Sequence, residues 1–394
     1  MFNIGKILKK GGNFLLNKKV IENVLYAALS TGGDFAEIFV EDRFNTNINM
    51  VGGYVENSIS GRDFGVGIRI FHGLNSIYAY TNNSKEDNLI KVAKEAALAI
   101  KSSKKDMVLN LMESNINNRH LIKIMPSNAE KAKKVELLKR GYESAKAYDP
   151  LITQVTSNYF DEEQNVLIAN SEGLMVQDKR VRTRFKIQSV ASKDGETQIG
   201  FYGPGGSMGF EIFDKIDVEE IGKEASRIAK TMILADYCPS GVMPVVIHNE
   251  FGGVLFHEAC GHGLEATFVS KGTSVFADKL GEQVASPLVT AIDDGTIPNE
   301  WGSLNIDDEG TPTQRNVLIE NGILKSYLVD KLNGKRMGME STGSARRQSY
   351  KFQPTSRMNN TFIANGNSTF EEIISSTEKG LFAKKLGGGS VNPA

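Results

Sequence analysis

Residues 36–81, AEIFVEDRFNTNINMVGGYVENSISGRDFGVGIRIFHGLNSIYAYT, carry the pattern that decides the fold of the first half of the chain. β-Branched and aromatic residues recur in short runs, and Gly, Asn or Asp separates one run from the next. Such runs are typical of strands joined by tight turns in an antiparallel meander. We therefore predict five short strands, AEIFVED, NTNINMV, GYVENSI, GVGIRIF and NSIYAYT.

Segments with helical periodicity flank this meander. Apolar residues recur at helical spacing in 17–30, where Asn17 is a suitable N-cap, and again in the stretch that begins at Ser84, a second predicted N-cap. A second round follows, with helices predicted at 127–148 and 218–234 around the runs ITQVTSNYFDEE, QNVLIANSEG, VRTRFKIQSVASK and ETQIGFYG. Two rounds of helix, meander and helix indicate either a duplicated unit or one sheet covered by helices.

The character of the sequence changes near Pro244. A segment with a helical pattern, NEFGGVLFHEACGHGLEATFVS at 249–270, leads into a region rich in Gly, Asp, Asn and Pro. The Asn321-Gly322 pair predicts a two-residue hairpin turn there. Strand candidates lie at 287–293, 314–320, 322–329 and 359–363.

These patterns together predict an α+β protein with two domains. The first, at 1–236, is an N-terminal α/β domain of antiparallel meanders covered by helices. The second, at 237–394, is a β-rich C-terminal domain with the candidate metal-binding helix at its start.

Composition excludes several classes of protein. The chain has 394 residues with 46 basic and 47 acidic side chains, which gives no overall positive charge for binding nucleic acid. Two cysteines cannot form a disulfide framework, so we expect a reducing, cytoplasmic location. No stretch approaches the roughly 20 apolar residues of a membrane span. We expect neither nucleic acid nor a membrane as a partner.

One segment of the second domain carries catalytic chemistry. His257 and His262 flank an acid, Glu258, in the sequence HEACGH. Neutral imidazoles are good zinc ligands, and a carboxylate beside one of them can take a proton from the water that attacks the substrate. We therefore predict a hydrolytic zinc (Zn²⁺) site. The alternative is a pair of structural histidines beside a helical glutamate.

The spacing of the two histidines predicts a distortion of this helix. Side chains five residues apart point about 140° apart around an ideal α-helix, which is too far for one metal ion. A single π turn, with its i to i+5 hydrogen bond, returns them to one face. Gly261 and Gly263 reduce the cost of such a distortion. We predict a deformed helix at 257–263.

Three other stretches allow more than one interpretation. The Gly-rich stretch 202–210 is a turn or mobile loop, with a phosphate cradle as the alternative. The acidic loop 306–312 is a solvated turn, or it holds a cation or a substrate amine. The basic stretch 344–358 is a surface hairpin, a peptide-binding segment or a nucleic-acid patch. Within it we assign substrate binding to Arg347 and Tyr350.

The segment GGVLFHEACGHGLEATFV at 252–269 resembles the metal-binding helix of the TldD/PmbA family, metallopeptidases also called modulators of DNA gyrase. Stretches at 271–296, 306–339 and 343–363 are similar to the same family, and so, more loosely, is the N-terminal half. The active branch of the family carries HExxxH. Because these residues are intact, the chain resembles the TldD side rather than the metal-free PmbA side.

The resemblance implies a role for each residue of the motif. His257 and His262 would be zinc ligands, and Glu258 the general base or acid, in a peptidase that acts on small or unfolded peptides. The third ligand of the family is a cysteine beyond the position of the final GGGSVNPA, so we expect this chain to be C-terminally truncated relative to the family. Cys260 is then either a substitute ligand or a small buried hydrophobe, and we expect Cys238 to be structural.

The resemblance also implies an assembly. Members of the family act as dimers that enclose a chamber, so we expect a homodimer or a heterodimer with a PmbA-like homologue. The alternative function is a non-catalytic scaffold or partner subunit of such an assembly.

Overall fold

A computed structural model describes residues 15–100 and 109–385 of the chain. The protein is a mixed α+β fold, as predicted. A large, mainly antiparallel sheet carries helices on one face and a C-terminal part with short strands on the other. No helix in the described ranges is long and apolar enough to cross a membrane.

The large sheet contains both predicted rounds of strands. Its strands are β1 (Phe35–Val51), β2 (Tyr54–His72), β3 (Asn75–Thr81), β4 (Met112–Ser114), β5 (Ile152–Asn170), β6 (Leu174–Lys193), β7 (Glu196–Tyr202) and β8 (Gly205–Gly206). The order is β3-β2-β1-β5-β6, and β4, β7 and β8 each pair with β6. Only β4 pairs in parallel. Because β1 of the first round pairs with β5 of the second, the two rounds form one continuous sheet.

The prediction of short strands is wrong, because neighbouring runs merge. AEIFVED and NTNINMV are both parts of β1, and GYVENSI and GVGIRIF are both parts of β2. The residues between the last two runs, including Gly61 and Asp63, do not make a turn but pair with β1. Gly65 and Gly67 lie inside the second of these runs. A Cβ on Gly65 would overlap the ring of Tyr350, and one on Gly67 would overlap the hydroxyl of Tyr78. Gly65 and Gly67 allow a close approach of distant side chains to the sheet, which a local pattern cannot reveal.

Four helices cover one face of the sheet, and all four were predicted. They are α1 (Lys18–Ala28), α2 (Glu86–Ala97), α3 (Lys131–Ala147) and α4 (Val218–Leu234). The Asn17 cap is confirmed, since its side-chain oxygen accepts a hydrogen bond from the Lys19 amide at 2.8 Å. The Ser84 cap is wrong: α2 begins after Lys85, whose own amide donates to the Asn83 side chain at 3.1 Å.

The side chains of β1 point alternately to the two faces of the large sheet and show which part of the protein covers each face. Ile38 packs in the core beneath α1 and α2, and Ile48 packs in the core beneath α3 and α4. Phe39 points to the opposite face, where it packs with Ile306 and Tyr350 of the C-terminal part. Successive side chains of a strand point to opposite faces, so the C-terminal part lies across the sheet from the helices.

The C-terminal part contains short elements. Its strands are β9 (Val245–Ile247), β10 (Ala291–Asp294), β11 (Arg315–Glu320), β12 (Ile323–Leu324), β13 (Ala345–Arg346), β14 (Thr355–Ser356), β15 (Thr361–Ile363) and β16 (Leu381–Ala383). Its α-helices are α5 (Asn249–Phe256), α6 (Ala266–Val269), α7 (Lys331–Met337) and α8 (Phe370–Ser375). One sheet has the order β12-β11-β10-β15, and the others are the pairs β13-β14 and β16-β9.

The hairpin prediction in this part is confirmed. Asn321 and Gly322 both have positive φ, 49° and 83°, as a two-residue turn of the hairpin type requires. β11, before the turn, agrees closely with the predicted 314–320, whereas β12, after it, covers only the start of 322–329. β10 covers only the end of the predicted 287–293 and extends to Asp294.

The Gly-rich stretch 202–210 is neither a free loop nor a phosphate cradle. Gly205 and Gly206 form β8 and pair with β6. The amides of Ser207, Gly209 and Phe210 donate to Asn299, Glu211 and Ile124 respectively. Because these amides are used inside the protein, they are not available to a phosphate group.

Candidate metal centre and its cleft

The predicted distortion of the motif helix is confirmed. α5 runs directly into a π turn at His257–Gly261, which is followed by a 3₁₀ turn at His262–Leu264. The His262 amide donates to the His257 carbonyl, which is the i to i+5 hydrogen bond of a π turn. A Cβ on Gly261 would collide with the sulfur of Met358, so the turn packs closely against the chain beside it.

The π turn brings the two imidazoles to one face. Their ring centroids lie 4.8 Å apart, and the ring planes are nearly perpendicular, at 82°. His257, Glu258 and His262 can each offer one ligand atom such that the three atoms lie within 4.8 Å of one another. Two nitrogens bound to one zinc ion lie at most about 4 Å apart, so small side-chain rotations suffice for both to bind. The residues present therefore fit a metal ion.

The environment favours the neutral form of both imidazoles. Burial lowers the pKa of His257, and the positive charges of Arg346 and Arg357 add to this effect, although the charge of Glu258 opposes it. Burial and the neighbouring His257 lower the pKa of His262. Only a neutral imidazole has a lone pair for a metal ion, so these shifts favour binding at neutral pH.

The sequence did not indicate a role for Glu265, whose side chain contacts His262. It is completely buried, and one of its carboxylate oxygens lies 3.2 Å from Nδ1 of His262. The other oxygen accepts a hydrogen bond from Arg357 at 3.0 Å. Burial raises the pKa of Glu265 to about 7, although Arg357 opposes the rise. Its position three residues after His262 was the available signal, because such residues are neighbours on a helical turn.

Neither cysteine joins the centre. Cys260 is half-buried and packs against the apolar core of the C-terminal part, and burial raises the pKa of its thiol. Cys238 is exposed. Across residues 15–100 and 109–385, His257, Glu258 and His262 are the only group of three or more such side chains close enough to hold an ion.

A cleft of about 600 Å³ opens onto the two histidines. One wall is the basic stretch predicted from the sequence, which forms the β13-β14 hairpin. The lining residues are His257, His262, Glu265, Arg346, Arg347, Gln348, Phe352, Gln353, Thr355, Arg357 and Met358. A mixed polar and apolar cleft beside a candidate metal centre can accommodate an extended peptide.

The two residues assigned to substrate binding are engaged in packing. The Arg347 side chain is 1% exposed and its guanidinium lies 2.8 Å from Glu37. Tyr350 is buried, and its ring packs over Gly65 and beside Phe39. Both side chains join the C-terminal part to the large sheet, and their assignment to substrate binding stays a prediction.

The acidic loop is buried, which corrects the interpretation as a solvated turn. Asp308 lies 2.6 Å from Arg180 of β6, and Glu309 lies 2.5 Å from Arg69 of β2. Asp307 accepts hydrogen bonds from backbone amides, including that of Ala345. Because their guanidinium partners come from the large sheet, these carboxylates fasten the C-terminal part to that sheet.

Comparisons with known proteins agree with this architecture. Three successive family profiles match: PmbA/TldA metallopeptidase domain 1 at 36–100, the central domain at 125–233 and the C-terminal domain at 240–394. A metalloprotease TldD homologue of Haemophilus influenzae is 37% identical, over 91% of this chain and 76% of that protein. A zinc metalloprotease TldD homologue of Saccharolobus solfataricus is 24% identical, over 92% of this chain and 79% of that protein.

A solved structure shows the same fold. The crystal structure of TldE from Thermococcus kodakarensis superposes with a TM-score of 0.74 at 23% identity, covering 95% of this chain and 84% of that one.

Proposed function

The chain belongs to the PmbA/TldD metallopeptidase family, and from this premise we propose that it is a zinc-dependent peptidase that hydrolyses small or unfolded peptides. The observation that carries the proposal is the π turn, which brings His257, Glu258 and His262 together, with both histidines lining the cleft. The zinc metalloprotease name of the Saccharolobus homologue supports the choice of metal.

The site residues divide the chemical work between them. His257 and His262 would hold the metal ion, and Glu265 orients His262 through the Nδ1 contact. When bound, zinc supplies a Lewis acid that lowers the pKa of water and polarises a carbonyl group. Glu258 takes a proton from the water that attacks the peptide carbonyl, and then delivers a proton to the leaving amine. The π turn fixes Glu258 beside His257, so base and ligand share one rigid element.

We propose that the third protein ligand lies outside residues 15–100 and 109–385. Cys260 is packed against the core, and Cys238 is exposed and outside the cleft. A zinc site that hydrolyses peptides generally uses three protein ligands and leaves one position for water.

Metal content and peptide cleavage test the proposal. We expect about one zinc ion per purified chain, and a loss of at least about 100-fold in cleavage rate for Glu258→Gln with the zinc retained. Glu320→Gln, on the exposed surface of β11, is the matched control and should cleave normally. Zinc retained with undiminished cleavage by Glu258→Gln would remove Glu258 from the mechanism.

We also propose that the chain assembles into a homodimer or a heterodimer with a PmbA-like homologue. The pair β9-β16 and helix α8 expose neighbouring apolar side chains: Val245, Ile247, Phe370, Ile373, Ile374, Leu381 and Phe382. A contiguous apolar surface of this kind marks an interaction site. This surface equally favours the second candidate function, a non-catalytic partner subunit.

The mass of the protein in solution distinguishes these functions. Light scattering on the chain alone, and on the chain mixed with a PmbA-like homologue, should show a dimer that Phe382→Glu weakens. An active, zinc-loaded homodimer would exclude the scaffold function. A chain that binds no zinc and dimerises only with the homologue would support it.

We propose a cytoplasmic location. Both cysteines are free in the structure, which suits a reducing compartment.

A further inference from the structure

Arg346 is the unpaired arginine of the cleft wall. Arg347 is bound to Glu37 at 2.8 Å, and Arg357 is bound to Glu265 at 3.0 Å. Arg346 makes a single hydrogen bond, from Nη1 to the Met358 carbonyl at 2.8 Å. No described carboxylate lies within 4.0 Å of its guanidinium. The cleft beside the candidate metal centre therefore carries one arginine without an ion pair, although the charges of Asp308 and Asp293 stabilise it from a greater distance.

A second arginine without an ion pair lies close to Arg346. Arg182 is on β6, on the face that the C-terminal part covers. Its Nε is buried without a hydrogen-bond partner, and its guanidinium lies 5.7 Å from the centre of the Trp301 ring. No carboxylate of the described residues lies within 4.0 Å of it. Burial and the repulsion of Arg346 lower the pKa of Arg182 to about 10.

Two half-buried guanidinium groups that repel each other raise the free energy of the empty cleft. Burial of an unpaired charge is unfavourable because the group loses water without gaining a partner. An anion in the cleft would restore the missing interaction. The planar guanidinium fork of Arg346 suits a carboxylate, to which it can donate two parallel hydrogen bonds.

We propose that Arg346 anchors a carboxylate of the peptide substrate, with Arg182 adding to the positive field behind it. The proposal rests on the proposed peptidase function and names the substrate class: peptides that carry a carboxylate near the scissile bond. That carboxylate is either the free C-terminus of the peptide or an acidic side chain. When it is anchored in the cleft, this carboxylate would determine which carbonyl group of the peptide lies beside His257 and Glu258.

Binding measurements separate the anchor from catalysis. Zinc-loaded Glu258→Gln protein is titrated with acetyl-pentaalanine as the free acid, with its C-terminal amide, and with the amide that carries one glutamate. We expect the free acid or the glutamate peptide to bind at least about tenfold more tightly than the neutral amide. Whichever peptide is preferred identifies the source of the carboxylate.

Substitution of Arg346 tests whether this residue causes the preference. In the Glu258→Gln background, Arg346→Gln should reduce the affinity ratio to about one, and Arg346→Lys should restore part of it. Arg140→Gln, on the exposed side of α3, is the matched control and should keep the ratio. Thermal melting identifies any variant that fails to fold, in which case Arg346→Lys carries the test.

The outcomes distinguish the anchor from the proposed function. Equal binding of the three peptides, or a ratio that Arg346→Gln leaves unchanged, would overturn the anchor even if the wild-type protein cleaves peptides. A ratio that depends on Arg346 in a protein that cleaves none of the peptides would support the anchor and overturn the peptidase function.

Discussion

Glu265 Oε1 lies 3.2 Å from Nδ1 of His262 and fixes the orientation of that imidazole. With Nδ1 engaged by a completely buried carboxylate, Nε2 is the nitrogen that remains for a metal ion. Arg357 holds the second oxygen of Glu265 at 3.0 Å, so the orientation of His262 also depends on a residue just after β14.

Removal of the Glu265 carboxylate should weaken metal binding. We expect Glu265→Ala to reduce zinc affinity by about 10- to 100-fold, because His262 loses the partner that fixes its ring. Glu265→Gln should lose less, since its side-chain oxygen can still accept from Nδ1–H. Competition with a chelator measures the affinity, and Glu320→Gln on the surface of β11 serves as control. Equal zinc affinity in all four proteins would contradict the orienting role.

The packing of the π turn should be sensitive to a single methyl group. Gly261→Ala would place a Cβ against the Met358 side chain, and we expect a loss of about 1–3 kcal/mol in the free energy of unfolding. Gly253→Ala, in α5, is the control because the nearest atom outside its own helix that the new Cβ would meet, the Thr361 carbonyl oxygen, lies 3.9 Å away. That variant should be neutral or more stable, since alanine favours a helix. Urea denaturation measures both, and an equal effect at the two positions would refute the packing argument.

The pair Arg69–Glu309 should contribute strongly to stability. Both side chains are at most 1% exposed, and Arg69→Met would leave the carboxylate of Glu309 buried without its cation, whereas Glu37 would keep Arg347. We expect a loss of about 3–5 kcal/mol in the free energy of unfolding. Arg62→Met removes an exposed arginine that pairs with Asp42, and should cost at most about 1 kcal/mol. Similar losses in the two variants would show that burial of the first pair is unimportant.

Asp293 should make stability depend on pH. Burial raises its pKa from 3.8 to about 6, against hydrogen bonds from Thr361 and Asn359 that lower it. As pH rises from about 4 to about 6, the unfolded chain loses a proton that the folded chain keeps, so the free energy of unfolding falls. The contribution is about 3 kcal/mol. Denaturation curves at several pH values measure this decrease in the free energy of unfolding. Asp293→Asn should lack it, whereas Asp63→Asn on β2 should retain it.

Local patterns were enough to predict α1 to α4 and the distorted helix of the metal motif, but not α7 and α8. The bounds of α4 agree with the predicted 218–234. The apolar residues that recur at helical spacing lie within this helix, and its N-cap, Asp217, directly precedes it. The π turn followed from the spacing of two histidines and the geometry of a helix alone. In both cases the information lies within about twenty residues of chain.

Long-range contacts explain what the sequence did not reveal. Arg180 and Asp308 are 128 residues apart, so the acidic loop looked solvated when in fact it is buried. The close approach of the Tyr350 ring to Gly65 joins residues from the two halves of the chain, so the strand pattern around Gly65 gave no sign of it. Arg346 and Arg347 are adjacent and chemically identical, and only the position of Glu37 shows which of them is already neutralised.

The buried ion pairs between the acidic loop and the large sheet also make the C-terminal part unsuitable for use as an isolated domain. Cut away from the sheet, it would keep the carboxylates of Asp308 and Glu309 but lose Arg180 and Arg69, the cations that lie against them. Carboxylates of the same loop accept hydrogen bonds from the backbone amides of Ala345 and Arg347, the residues that flank Arg346 in the cleft wall. Engineering of the cleft therefore has to retain residues of β2 and β6. In the sequence, β2 lies more than a hundred positions away from the two histidines.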